Sequence, residues 1–337
     1  MAARAGSDWF SYPSGSSSGV IGEARNIPWI SRAAIIPVLK HATSLSLSIL
    51  LLAALHARAE TNAAEEALYR AKALRTLPPS AARRLFSVPA TPAQLAPDAI
   101  GAYGRGCVAG AVELAPKGPG WQVMRPSRAR NFGHPKLVAW LEAFAAEAQE
   151  DGWPGLLVGD MAQPRGGPML TGHESHQLGL EADIWLTPAP ALLLNAEERE
   201  EMSAIDMVQP DLLDITADFT SAQVALLRRA ALMPDVDRIF VNAAIKAASC
   251  RGATGERGWL RKLRPWPGHT FHFHVALKCP NAGCMQRNPV PAGEGCGKEL
   301  DHWFRAEVRF PRPEKRPRKI LKLVDLPKAC REVLAAP

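Results

Sequence analysis

Residues 270–277 read Thr-Phe-His-Phe-His-Val-Ala-Leu. Side chains of a strand point alternately to its two faces. Phe271, Phe273, Val275 and Leu277 therefore share one face, and His272 and His274 share the other. A strand with one wholly apolar face belongs in a sheet with a hydrophobic core behind it. A second segment, residues 180–186 (Leu-Glu-Ala-Asp-Ile-Trp-Leu), obeys the same rule. Leu180, Ala182, Ile184 and Leu186 fall on one side, and Glu181 and Asp183 on the other. Two strands thus each offer a pair of polar, titratable side chains from an apolar-backed face.

Just upstream of the second segment lies Thr-Gly-His-Glu-Ser-His-Gln, residues 171–177. It begins like the helical zinc signature H-E-x-x-H, but its second histidine comes one residue early. His176 precedes Asp183 by seven positions, a separation of more than roughly 20 Å if extended at about 3.3 Å per residue. Gly179 supplies a bend that brings His176 back beside Asp183. Five of the nine histidines, His173, His176, His269, His272 and His274, sit in these two short stretches. Two imidazoles and one carboxylate form a three-ligand zinc site with its fourth position open, the arrangement of catalytic zinc. Two imidazoles with one carboxylate suit zinc, although other divalent ions occupy such sites. A bound zinc lowers the pKa of water to about 7. The chemistry then needs a proton acceptor, and His272, on the same face as His274, is placed for it. His134 and His302 read as structural.

The remaining sequence supports one domain around such a site. The 337 residues and the 47 % hydrophobic content suffice for a sizeable core. A helix is expected from Pro135, with proline in its first turn and Leu137, Leu141, Phe144 and Ala148 on one side. Strands are expected within 155–161 and 238–242, and a helix over 221–232 capped by Thr220 or Ser221. Residues 42–57 form an apolar run after Lys40 and His41, followed by the small-residue pattern Ala57-Arg58-Ala59, which is the layout of an export signal. The run is short for a membrane span. Residues 1–37 are long and Ser/Gly-rich for a leader, which fits a translation start near Val38. The expected organisation is a signal region at 1–59, a mobile lead-in at 60–99 and a catalytic domain at 100–337 with a basic, proline-punctuated segment near its end.

Export changes the reading of the six cysteines, Cys107, Cys250, Cys279, Cys284, Cys296 and Cys330, toward disulfides. Six cysteines allow 15 pairings. A zinc knuckle from Cys279, Cys284 and Cys296 is disfavoured because paired C-x-x-C units are missing. The net charge of +7 suits an anionic environment such as wall polymer, membrane surface or nucleic acid. Aromatic residues are scarce and show no regular interleaving with the basic run 305–322, which holds Phe310 alone, and this argues against a single-stranded nucleic-acid platform. That run reads as a solvated tail. No nucleic-acid partner is expected, and no stable membrane span in the mature form; the oligomeric state is open.

His-x6-Asp followed by His-x-His is the signature of the LAS metallopeptidases. The longer motifs Gln122–Arg125, Phe132–Pro135, Gly159–Met161, Gly172–Trp185, Arg238–Asn242, Trp259–Trp266 and His272–Pro280 resemble the penicillin-insensitive murein endopeptidases, peptidase family M74. The similarity runs from about Ile100 to Cys330. It implies a periplasmic zinc endopeptidase that cuts the D-alanyl–meso-diaminopimelyl cross-links of peptidoglycan (murein). By the same resemblance the metal ligands are His176, Asp183 and His274, with His173 sometimes added, and the catalytic histidines are His272 and His269. It also implies the bridges Cys107–Cys330, Cys250–Cys296 and Cys279–Cys284. Glu181 stands where the family usually has Asp. Relatives with a second metal carry an Asp and a His after the second strand, and residues 207–215 here contain no His. The expected fold is α+β: a central antiparallel sheet with the zinc on its open face, flanked by helices and disulfide-tied loops. The rival readings are a D-alanyl-D-alanine carboxypeptidase on the same zinc and a wall-binding module that keeps zinc without catalysis.

Overall fold

The computed structural model describes residues 66–171, 173–312 and 319–337. The expected export signal at 42–57 lies outside the described residues, as does the 313–318 portion of the basic run. Among the described residues no helix is long and apolar enough to cross a membrane.

Residues 66–76 are helical, and α1 follows at Ala82–Phe86. Strands β1 (Asp98–Ala102) and β2 (Arg105–Ala109) form an antiparallel hairpin. The short strand β3 (Val112–Glu113) pairs with β6 (Phe132–Gly133). The main sheet has seven strands. They are β4 (Lys117–Gly118), β5 (Trp121–Val123), β7 (Leu156–Val158), β8 (Glu181–Trp185), β9 (Val236–Val241), β10 (Leu263–Pro265) and β11 (His272–Leu277). Their spatial order is β10-β9-β11-β8-β7-β5-β4. Helix α2 is Pro135–Glu150, α3 is Ala196–Glu201, α4 is Ser221–Leu232 and α5 is Ala243–Gly252.

The sheet is mixed, which corrects the expected antiparallel one. Its middle, β9-β11-β8-β7, is antiparallel, but β5 pairs with β7 and β9 with β10 in parallel. The reason is connectivity. A parallel pair needs a crossover of a dozen or more residues, and α2 lies between β5 and β7 as α5 lies between β9 and β10. Alternation inside single strands shows which residues share a face, but carries no information about the direction of the neighbouring strand.

The helical side of the sheet is the main core. Phe273, Val275 and Leu277 of β11 and Ala182 and Ile184 of β8 are fully buried there with Leu137, Leu141 and Phe144 of α2. Leu226 and Leu227 of α4 and Ile245 of α5 close the same cluster. The starts of α2, α4 and α5 are satisfied by side chains: His134 Nδ1 accepts the Lys136 N–H, Thr220 Oγ1 accepts that of Ala222, and Asn242 Oδ1 that of Ala244. His134 is thus accounted for as a cap. Phe271 departs from the expected core face. It is 36 % exposed, because pairing in β11 begins one residue later and alternation holds only within the paired strand. Leu180, likewise outside its strand, joins a separate cluster with Ala99, Tyr103 and Leu178.

Within the segment expected as a mobile lead-in, Ala81, Ala82, Phe86 and Ala93 are buried. Ala82, Phe86 and Ala93 pack with Cys107, Leu326, Cys330 and Val333, joining the two ends of the described chain. Gly167 makes room for the Phe86 ring, since a Cβ there would lie 2.2 Å from it. Arg165 bonds the carbonyls of Val333, Leu334 and Ala336 at 2.7–2.9 Å and that of Thr91 at 3.1 Å. All six cysteines are paired as the resemblance implied: Cys107–Cys330, Cys250–Cys296 and Cys279–Cys284.

Cys107–Cys330 spans 223 residues and lies inside the cluster that joins the ends. Replacing both cysteines by alanine should lower the unfolding free energy by about 2–5 kcal/mol. Denaturant unfolding of the variant and the parent under identical oxidising conditions measures it; unchanged midpoints would show that the apolar cluster alone holds the ends.

Candidate metal and catalytic centre

On the sheet face opposite the helices, strand register creates the centre. His274 stands directly across from Asp183, and His272 directly across from Trp185. On its other side His274 is opposite Phe240, whose ring centroid is 5.5 Å away. This face was expected to be open. It is instead covered by loops: Glu181 and His176 have no exposure, Asp183 and His274 have 4 %, and His269 and His272 have 6 %.

The loop before β8 brings His176 back as the glycine bend required. Gly179 has φ +64°, and its carbonyl accepts the His134 N–H at 2.8 Å. A Cβ at this position would lie 2.7 Å from the His134 nitrogen. His176 is itself left-handed, φ +66°, and its N–H donates to Glu181 Oε2 at 2.6 Å. A non-glycine residue holds that conformation only when its surroundings enforce it.

Four imidazoles converge on one carboxylate. Asp183 Oδ1 lies 3.0 Å from His274 Nδ1, 3.5 Å from His176 Nε2 and 3.7 Å from His272 Nε2. Asp183 Oδ2 is 3.4 Å from His173 Nδ1. The His176 ring is 4.6 Å from that of His173 and 4.5 Å from that of His274. His269 completes the wall, 4.8 Å from the His272 ring, in a left-handed conformation with φ +53°. The sequence-expected residues His173, His176, Asp183, His269, His272 and His274 are therefore all in one cluster.

Burial and charge set the protonation states. Burial pushes His176 down, His269 well down and His272 to about 4, against the pull of Asp183. These rings are neutral at neutral pH, the form in which imidazole ligates metal. Burial also opposes the charge of His274, but Glu181 and Asp183 on its two sides raise it to about 9. Burial raises Asp183, and its imidazole neighbours outweigh that and hold it well below the usual carboxylate range.

Several buried polar atoms of this cluster have no hydrogen-bond partner: both nitrogens of His176, Asp183 Oδ1, His272 Nδ1 and His274 Nε2. The close approaches to Asp183 Oδ1 and His274 Nε2 are therefore contacts of charge without hydrogen-bond alignment. Unsatisfied buried polar groups are costly, and His176 Nε2 and Asp183 Oδ1, both unpartnered and 3.5 Å apart, fit a shared cation. Among the described residues one group has the spacing to hold a metal ion, His173, His176 and Asp183, with one ligand atom from each within 4.8 Å of the others. His274 adds its Nδ1 at Asp183.

Four neighbours were not singled out from the sequence. Asp160, two residues past β7, accepts from Arg130 at 2.7 Å and Arg128 at 3.2 Å, and lies 3.0 Å from His173 Nε2. Burial raises its pKa, but the two guanidiniums and His173 hold it well below the usual range. It belongs to the quoted Gly-Asp-Met motif, whose strand context alone gave it no role. Arg287 contacts Glu181 at 2.5 Å and had no signal in the sequence. Phe240 and Trp266, with ring centroids 5.5 Å apart, form an aromatic edge beside His274.

Residues 99–335 match the family model described as penicillin-insensitive murein endopeptidase, Peptidase_M74. A protein of that name from Haemophilus influenzae is 46 % identical over 218 residues, covering 61 % of this chain and 72 % of the relative. One from Yersinia enterocolitica is 40 % identical over 241 residues, covering 71 % and 86 % respectively. Another from Klebsiella pneumoniae is 39 % identical over 238 residues, covering 70 % and 85 %.

Gly179→Ala places a methyl group against the His134 amide at a positive φ. We expect a stability loss of more than about 1 kcal/mol from the backbone conflict, and a weaker grip on any metal held by His176. Thermal unfolding and metal titration of the purified variant measure both; parental values would show that the bend does not depend on glycine.

Proposed function

Because the chain belongs to the penicillin-insensitive murein endopeptidase family, we propose that it is a periplasmic zinc endopeptidase that hydrolyses the D-alanyl–meso-diaminopimelyl cross-link of peptidoglycan. The family makes it a peptidoglycan-directed hydrolase; the metal, the bond and the compartment are the finer reading. The observation that carries the metal is the convergence of buried, unpartnered imidazole and carboxylate atoms around Asp183.

His176, Asp183 and His274 would hold the zinc, with His173 beside them as a further candidate. Zinc in such a site supplies a Lewis acid that polarises the scissile carbonyl and acidifies the attacking water. His272 is neutral at neutral pH and buried at the same carboxylate, so it can accept a proton from the attacking water and pass it on. The Nδ1 of His269 is 2.9 Å from the Pro267 carbonyl, which can only accept. In the neutral ring the proton therefore sits on Nδ1, and Nε2 is the basic nitrogen available to orient water or exchange a proton with the leaving amine. The loops over the face exclude bulk water, which strengthens these interactions. Hydrolysis of this kind forms no acyl-enzyme on serine. Ser175, between Glu174 and His176, has no role in it.

The decisive experiment is digestion of purified cross-linked muropeptides. Dimers should become monomers, chelator should stop the reaction, added zinc should restore it, and penicillin should leave the rate unchanged. Trimming of free D-alanine ends with cross-links intact would point to the carboxypeptidase, and no cleavage at full zinc occupancy to a binding module. Covalent labelling by penicillin would remove the metallopeptidase reading.

His272→Ala should retain zinc and lose about 10²–10⁴-fold in turnover, the usual contribution of a general acid–base group. Metal analysis beside kinetics on the same preparation checks this. Loss of the metal instead would make His272 a ligand.

A further inference from the structure

Glu181 is the most deeply buried carboxylate beside the centre, with no exposed surface. It is outside the expected ligand set, yet it touches two members of that set. Its Oε2 accepts the backbone N–H of His176 at 2.6 Å. Its Oε1 lies 3.0 Å from His274 Nε2 and 2.5 Å from Arg287 Nη2. A buried charge must be compensated by a partner, and the sheet group beside it, the His274 imidazole, is one that the reading above assigns to the metal. The residue directly across from Glu181 on β11 is Ala276, a methyl group.

The compensating cation comes from the loop after β11. That loop is closed by Cys279–Cys284 and by the Cys279 N–H donating to Gln286 Oε1 at 2.9 Å. It is tied to the β1 strand through Met285 N–H to the Gly101 carbonyl at 2.8 Å, and to β9 through Arg238 Nη2 to the Asn288 carbonyl at 2.6 Å. Arg287 leaves this frame to lie flat over the Tyr103 ring, with its guanidinium carbon 3.5 Å from the centroid. Tyr103 is fixed in turn by its hydroxyl, which donates to the Leu277 carbonyl. The result is a rigid chain from disulfide loop to Arg287 to Glu181.

We propose that Glu181 and Arg287 are a positioning pair that sets both His176 and His274 for metal binding. This rests on the metal reading above. For His176, the carboxylate on its N–H holds a left-handed backbone that the residue would otherwise leave. For His274, the two ring nitrogens face two different carboxylates: Nε2 faces Glu181 and Nδ1 faces Asp183, each at 3.0 Å. Flipping the ring would put carbon against both oxygens. Glu181 therefore selects Nδ1 as the nitrogen that meets the metal, and Arg287 holds Glu181 in place. A ligating histidine oriented by a carboxylate is a general device, and its loss costs about 10–100-fold in metal affinity.

The test is zinc affinity, by competition against a chelator of known strength, with the absorption spectrum of the cobalt(II)-loaded protein as a second readout. Glu181→Gln keeps the shape and an acceptor for His176 but removes the charge. Arg287→Ala removes the partner, together with its contact on the Tyr103 ring, from a loop position with a 20 % exposed side chain, and carries the test if the first variant fails to fold. Both should lower zinc affinity about 10–100-fold and alter the cobalt spectrum, measured under conditions where circular dichroism shows each variant folded. Arg287→Lys should recover part of the loss, and the double variant should be little worse than Glu181→Gln alone. Parental zinc affinity with a parental cobalt spectrum in either folded single variant would overturn the pair. If the parent protein itself binds no zinc, the metal reading fails first, and the two failures are told apart by that measurement.

Discussion

Asp183 is a buried carboxylate ringed by imidazoles, and most of this side of the molecule follows from the need to satisfy it. Removing a carboxylate from water costs several kcal/mol unless it is paired and hydrogen-bonded. Here four histidines approach it, yet its Oδ1 and three of their rings keep polar atoms without aligned partners. Such an arrangement would be a defect in an ordinary core. Under the proposed reading it is coherent, because a divalent cation at the shared centre would satisfy these groups.

The fold serves that centre with stiffness from several directions. The helices on the opposite side fix the sheet through Phe273, Val275 and Ile184, so the alternate residues His274 and Asp183 have fixed positions. The bend at Gly179 delivers His176 against the same carboxylate. Around the first set of groups lies a second set of buried ion pairs. Arg130 and Arg128 hold Asp160, which faces His173, and Arg287 holds Glu181, which faces His274. Each histidine so treated has one nitrogen directed outward to a carboxylate, leaving the other for the centre.

This layered arrangement also separates roles among chemically identical side chains. His272 and His274 are two residues apart on one strand face, yet burial depresses the first to about 4 while two carboxylates raise the second to about 9. The difference comes from the neighbours across the sheet. His274 has Glu181 and Asp183 within 3.0 Å, whereas His272 reaches only Asp183, at 3.7 Å. The two imidazoles therefore sit in different electrostatic surroundings, although the sequence presents them as a repeat.

The sequence by itself determined the local periods and hence the faces. The Phe/His alternation of 270–277 and the Ala-Asp-Ile core of 180–186 placed His272, His274 and Asp183 on the polar sides of their strands, and Gly179 marked the one bend that returns His176 to them. The cysteine pairs were legible only through family resemblance, because spacing does not choose among pairings. Tertiary structure decided what no local pattern contains. The sheet is mixed because α2 and α5 form crossovers, which alternation cannot register. The polar face is covered because distant loops fold onto it. Asp160 and Glu181 acquired their roles from arginines that meet them only in the folded chain, Arg287 from 106 residues beyond Glu181. Faces are set by short-range stereochemistry and can be read from a few residues. Compensation of a buried charge is set by whichever part of the chain arrives there, and it exists only once the chain has folded.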